Sequence, residues 1–125
     1  MKILLDLNPL TWALNDPERL NTGVKDLLSD ASNLVYVSAA TIWEWQLDEA
    51  ELSFPDSLER LWSDYQFLPL PITPEHSQNW KSLPLKGLSF ETGILATQAH
   101  HEGLTLITDR APLLELPIQT MSAKS

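Results

Sequence analysis

Four acids in this chain stand where a carboxylate could do chemistry. Asp6 ends the apolar run Lys2-Ile3-Leu4-Leu5, and Asn8 and Pro9 follow it closely. A continuous apolar run that stops abruptly at an acid reads as a buried strand of a parallel sheet. Asp6 then sits at the strand's carboxyl end, the edge where open α/β sheets bind ligands. The plain alternative is that Asp6 caps the next turn or helix. Glu44 lies between Trp43 and Trp45, in a helix that directly follows a second strand. A surface acid is not usually set into so apolar a helix, although an ordinary salt bridge would explain it. Asp109 closes a late strand, Leu104 to Ile107. Glu91 falls in the first turn of a long helix, where an acid complements the helix dipole whether or not it has another role. Both readings of Glu91 stay open.

Asp6, Glu44 and Asp109 come from three separate segments that could meet at one sheet edge. Carboxylates so close raise one another's pKa unless a cation neutralises them. Hard oxygen ligands without Cys or His suit Mg²⁺ or Mn²⁺. Such an ion can activate water and stabilise a phosphodiester transition state. His100 and His101 are adjacent, so on a helix they point apart and cannot share a metal as an i, i+4 pair would. With the lone His76 they read as surface residues. The five Trp residues mostly fit apolar helix faces and read as core. There is no Gly-rich phosphate loop and no nucleophile elbow.

The elements that must position these acids alternate in type. Strands are expected at Lys2–Leu5, at Leu34–Val37, at Phe67–Leu70 (an edge, from its proline), at Leu104–Ile107 and at Ile118–Met121. Helices are expected at Leu10–Leu14, Gly23–Ala31 and Ala39–Leu47, the last extending or fraying to Leu52. Others are expected from the capping-box spacing at Asp56-Ser57-Leu58-Glu59 on to Tyr65, from Thr73-Pro74, and from Ser89 to Glu102, where Gly103 stops the helix. That alternation implies an α/β fold, a central mostly parallel sheet covered on both faces and wound by right-handed crossovers. The 125 residues suffice for one domain, 1–125, with a single sizeable core.

Composition narrows the function. The net charge of −9 disfavours a general nucleic-acid binder, which needs basic surface for phosphates. Cations held by the acids, or a basic protein partner, would offset it. The absence of cysteine removes disulfides, thiolate metal sites and cysteine nucleophiles, and fits a cytoplasmic protein. No apolar run approaches the ~20 residues of a membrane helix, and the start lacks a secretory-signal pattern.

The segment Val35-Tyr36-Val37-Ser38-Ala39-Ala40-Thr41-Ile42-Trp43-Glu44, with Lys2 to Asp6 before it, resembles the opening strand and "VSAASIWE" segment of PIN domains, most of all VapC-type toxins of type II toxin–antitoxin systems. Leu70 to His76 resembles that family's middle segment, and Ile94 to Thr108 its late helix and strand. The resemblance implies a PIN-like three-layer α/β/α sandwich and a metal-dependent endoribonuclease. It implies Asp6, Glu44, Glu91 and Asp109 as catalytic residues and ligands of Mg²⁺ or Mn²⁺, an RNA substrate, a cognate antitoxin and a homodimer. Asp6 and Glu44 match the family pattern directly. The family's third acid falls at Thr92, with Glu91 one residue early. The fourth normally follows Thr-x-Asp, and Asp109 arrives without the spacer. The hydroxyl residue after the first Asp is Leu7 here, and the Lys expected soon after Trp-Glu is absent. These departures motivate an alternative, a catalytically degenerate PIN domain acting as a protein-binding module. A phosphoacceptor receiver domain would share the winding, but it needs an acid ending its central strand and a Lys ending a late one.

Overall fold

In a computed structural model, residues 1–47 and 58–124 are described. Five strands, β1 (Lys2–Leu5), β2 (Leu34–Ser38), β3 (Leu68–Leu70), β4 (Thr105–Thr108) and β5 (Thr120–Ser122), form one sheet in the order β3-β2-β1-β4-β5. Every pairing between these strands is parallel. The expected fold class is therefore met, and proline-bearing β3 does lie at an edge. The last strand starts two residues later than Ile118 because Ile118 N–H bonds to the Leu116 carbonyl in a turn.

β1 is central because its side chains suit no other place: Ile3, Leu4 and Leu5 are fully buried. Successive residues point to opposite faces of a strand, and here they feed two separate cores. Ile3 and Leu5 pack with Leu10, Val24, Trp45, Leu61 and Ile107 on one face. Leu4 packs with Leu95, Ala96, Ala99, Leu106 and Leu113 on the other. Helices cover both faces: α1 (Leu7–Asn15), α2 (Thr22–Ser29), α3 (Ala39–Leu47) and α4 (Glu59–Ser63), then α5 (Pro74–Gln78), α6 (Phe90–Glu102) and α7 (Ala111–Leu114).

The helix ends follow local chemistry. Asn21 caps α2 through its side-chain oxygen, and Ser89 caps α6. Gly103 ends α6 in the left-handed conformation at φ 68°, which glycine adopts without a Cβ penalty. The expected extension of α3 beyond Leu47 and the capping spacing at Asp56-Ser57 lie outside the described residues. His76 corrects a sequence expectation: it is 1% exposed, not a surface residue. Its Nδ1 accepts from Thr73 N–H while Thr73 Oγ1 accepts from His76 N–H, a reciprocal cap in which histidine stands where Glu or Gln is usual. His100 and His101 are exposed, as expected.

Candidate functional site

Parallel pairing decides what meets at the sheet edge. Leu5 is in register with Val37 on one side and with Ile107 on the other. The next residues, Asp6, Ser38 and Thr108, therefore lie side by side at the carboxyl ends of three adjacent strands. The site grows from that row.

Asp6 is 1% exposed, and each of its oxygens is used. Oδ1 accepts from Leu7 N–H at 2.8 Å, which caps α1. Oδ2 accepts from Thr108 Oγ1 at 2.7 Å and meets Arg110 Nε at 3.1 Å. The capping role and the charged role are thus held by one side chain. Arg110 reaches two further groups. Its Nη2 lies 2.7 Å from Glu44 Oε1, and its Nη1 donates to Thr92 Oγ1 at 3.0 Å. Ser89 Oγ also donates to Thr92 Oγ1, at 2.7 Å.

Each anchor has a structural reason. α3 presents Glu44 while its neighbour Trp45 is buried in the core. α6 is held by Gln98, fully buried, which accepts from Ser38 Oγ at the end of β2 and donates to the Pro71 carbonyl. That brings the first turn of α6, with Thr92, over the end of β4. Arg110 is aimed inward because its N–H donates to Thr108 Oγ1.

Of the four acids singled out from sequence, the structure brings Asp6 and Glu44 together, joined through Arg110. Asp109 lies at the same edge but turns toward α1, where its Oδ2 accepts from Asn8 Nδ2 at 2.9 Å. Its Oδ1 is buried with no hydrogen-bond partner. Glu91 takes no part in this network. Arg110 was missed from sequence, although the Thr-x-Asp spacing points straight at it: one residue past Asp109, position 110 is where the family pattern places its acid. Thr92 likewise stands at the third acidic position.

The electrostatics follow from depth. Burial pushes the Asp6 carboxyl above its ordinary 3.8, and Glu44 adds to the rise; Arg110, Thr108 Oγ1 and Leu7 N–H pull it back but do not cancel it. At Arg110, with 27% of its side chain exposed, burial is the largest single influence and opposes the charge. The hydrogen bond that Arg110 donates to Glu44 and the charges of Asp6, Glu44 and Asp109 together outweigh it, so its pKa rises. The guanidinium is charged at any accessible pH.

A divalent ion does not fit these residues as they stand. The Asp6 and Glu44 oxygens that face each other are both engaged by one guanidinium, and the third oxygen is a hydroxyl engaged by the same group. Among the described residues no three Asp, Glu or His side chains converge as a metal would require. An oxygen-ligand ion would have to displace Arg110 first.

Thr108→Val tests the row at the strand ends. The change keeps the shape, removes a donor to Asp6 and leaves Arg110 N–H without its acceptor. It should cost about 1–3 kcal/mol, the range for leaving a buried polar group without its hydrogen-bond partner. It should also raise the Asp6 pKa further. A carboxyl with a raised folded-state pKa contributes stability that is full below its unfolded value and lost as pH rises through the folded value. Urea melts across pH should therefore show that loss beginning above 3.8 in the native protein and extending to higher pH in the variant.

No protein-family model matches the chain, and no curated protein matches it in sequence. Solved structures do. The VapBC2 complex of Rickettsia felis, bound to a DNA fragment from its promoter, contains a chain that superposes at TM-score 0.74 with 18% identity, covering 99% of this chain and all of that one. The FitAB complex bound to the IR36 DNA fragment gives TM-score 0.61 with 21% identity, over 98% of this chain and 94% of that one. At such identity the likeness speaks for backbone arrangement and not for chemistry, and the described residues have a PIN-like fold.

Proposed function

We propose that the chain is a VapC-like, PIN-fold binding protein, the toxin-side subunit of a cytoplasmic toxin–antitoxin pair, whose phosphodiester-cleaving centre has become an internal ion pair. The observation that carries this reading is the guanidinium of Arg110, bonded to Asp6, Glu44 and Thr92 at once. The VapBC name of a similar structure agrees with the sequence resemblance to VapC-type toxins. An antitoxin partner is further supported by large exposed side chains: Trp43 at 60%, Trp80 at 55% and Phe90 at 71%. Trp80 and Phe90 border an apolar groove of about 260 Å³ together with Leu85, Leu88 and Ile94. Enriched aromatics at an exposed patch mark protein interfaces. The excess of 17 acids over 8 Lys and Arg suits a basic partner.

A second reading, the metal-dependent endoribonuclease, is favoured by the orphaned Oδ1 of Asp109, since a buried carboxylate oxygen without a donor is one a cation would satisfy. In that reading Asp6, Glu44, Asp109 and Glu91 hold Mg²⁺ or Mn²⁺ once Arg110 has withdrawn. One assay separates the two. Cleavage of mixed RNA is measured with Mg²⁺ or Mn²⁺ for the native chain, Asp6→Asn and Glu44→Gln. The expected result is no metal-dependent cleavage by any of the three, with co-purification of a basic protein from the native host that Trp43→Ala/Phe90→Ala abolishes. Native cleavage that vanishes in both carboxylate variants establishes the nuclease. Light scattering in the same preparation reports whether a second copy, as a homodimer, covers the aromatics instead.

A further inference from the structure

We propose that Arg110 and Thr92 form a built-in replacement for a divalent ion, and that placing acids at these two positions makes a Mn²⁺ site of this chain. The proposal rests on the reading above, that the site holds no metal in its native form. Three donors of one planar group, Nε, Nη1 and Nη2, reach Asp6 Oδ2, Thr92 Oγ1 and Glu44 Oε1 at 3.1, 3.0 and 2.7 Å. One point in space is therefore within reach of four side chains from four elements: the end of β1, α3, the first turn of α6 and the end of β4. Three of them already offer oxygen. The fourth supplies the positive charge.

The charge balance explains why the two positions act together. Asp6 and Glu44 facing one another without a cation would repel, and burial makes this costly for Asp6. A tethered guanidinium meets that need without an ion from solution. It also excludes one, because its own positive charge occupies the space between the two carboxylates. A threonine hydroxyl at position 92 then accepts the remaining Nη1 donor, whereas a carboxylate there would give the single cation three anions. Thr92 is itself fixed by Ser89 Oγ, so its oxygen is held at the point rather than free to turn away. Replacing Arg110 by Asp and Thr92 by Asp removes the internal cation and sets four carboxylates about the same point. That all-oxygen set is one that Mn²⁺ and Mg²⁺ accept.

Mn²⁺ binding is measured by the electron-paramagnetic-resonance signal of the free ion, with folding followed by circular dichroism. The native chain is expected to show no saturable binding. Thr92→Asp/Arg110→Asp should bind saturably, and adding Asp6→Asn should weaken that binding by more than about tenfold, since even changes outside the ligand shell cost that much. Arg110→Gln, which keeps hydrogen bonding and drops the charge, should bind more weakly than the double variant but measurably. Arg110→Lys should stay metal-free. If the double variant folds only on adding Mn²⁺, that recovery is itself the binding readout and supports the proposal. If the native chain binds Mn²⁺ in an Asp6-dependent way, both this proposal and the reading beneath it fail. If neither the native chain nor the two charge-removing variants binds, the proposal alone fails. Loss of fold in both variants that Mn²⁺ does not reverse overturns it as well.

Discussion

Replacing Arg110 with alanine should destabilise the protein by about 3 kcal/mol at neutral pH, the lower end of what removing one partner of a buried ion pair costs. Three effects add. Asp6, 1% exposed, loses the cation that pairs with it, Glu44 loses its partner across the site, and Thr92 Oγ1 loses a donor. The lower end applies because Arg110 is partly in solvent and because the Asp6 carboxyl can take up a proton instead. Arg110 is among the groups that pull the Asp6 pKa down, so its removal sends that pKa further up. The stability difference between native and variant should therefore be largest at neutral pH and shrink as pH falls and Asp6 protonates in both. Thermal melts should show a drop in Tm on the order of 10 °C at pH 7. An unchanged Tm at pH 7 would mean that the guanidinium contributes nothing net to the fold. Asp6→Asn/Arg110→Met completes the test, since removing both charges should cost less than removing Arg110 alone.

The second large effect concerns α3. Trp45→Ala should cost about 4 kcal/mol, as truncating a buried aromatic side chain does, whereas Trp43→Ala should fall within about 0.5 kcal/mol, as surface changes do. Trp45 is 1% exposed and packs in the core with Ile3, Leu5 and Leu61; Trp43 is 60% exposed. The two variants also separate two kinds of function. Trp45 anchors the helix that carries Glu44, so its loss should loosen the contact of Glu44 with Arg110 and broaden the Arg110 side-chain NMR signals. Trp43 should leave those signals alone while weakening capture of a protein partner. Urea denaturation of both variants checks the first statement, and equal costs would sink it.

Trp43 and Trp45 also mark where sequence reading loses its grip. α3 is apolar nearly all round, so periodicity does not say which Trp faces inward. His76 departs from its sequence expectation for a related reason. A lone histidine near a helix start carries no burial signal of its own, and its reciprocal bond with Thr73 appears only when the backbone closes the first turn of α5. Glu91 could be placed in the first turn of a helix but not aimed, because one step along a helix rotates a side chain by about 100°.

The sequence by itself determined the architecture and singled out two of the residues, Asp6 and Glu44, that the structure brings together. Apolar runs of strand length alternating with capped helices leave a wound parallel sheet as the economical solution. In such a sheet a run that ends in Asp6 delivers its carboxylate to the carboxyl edge. The Ser-Ala-Ala-x-x-Trp-Glu stretch points to Glu44 only through its resemblance to PIN domains. Only the tertiary structure decided what neutralises those acids. Thr92 and Arg110 are separated by 18 residues along the chain, and Glu44 and Arg110 by 66. No local pattern links residues so far apart. Their meeting depends on parallel register setting Asp6 beside Thr108, and on Gln98 tying α6 to the end of β2. Electrostatic pairing acts over a few ångströms in space, so the partner of a buried charge becomes visible only once the chain has folded around it.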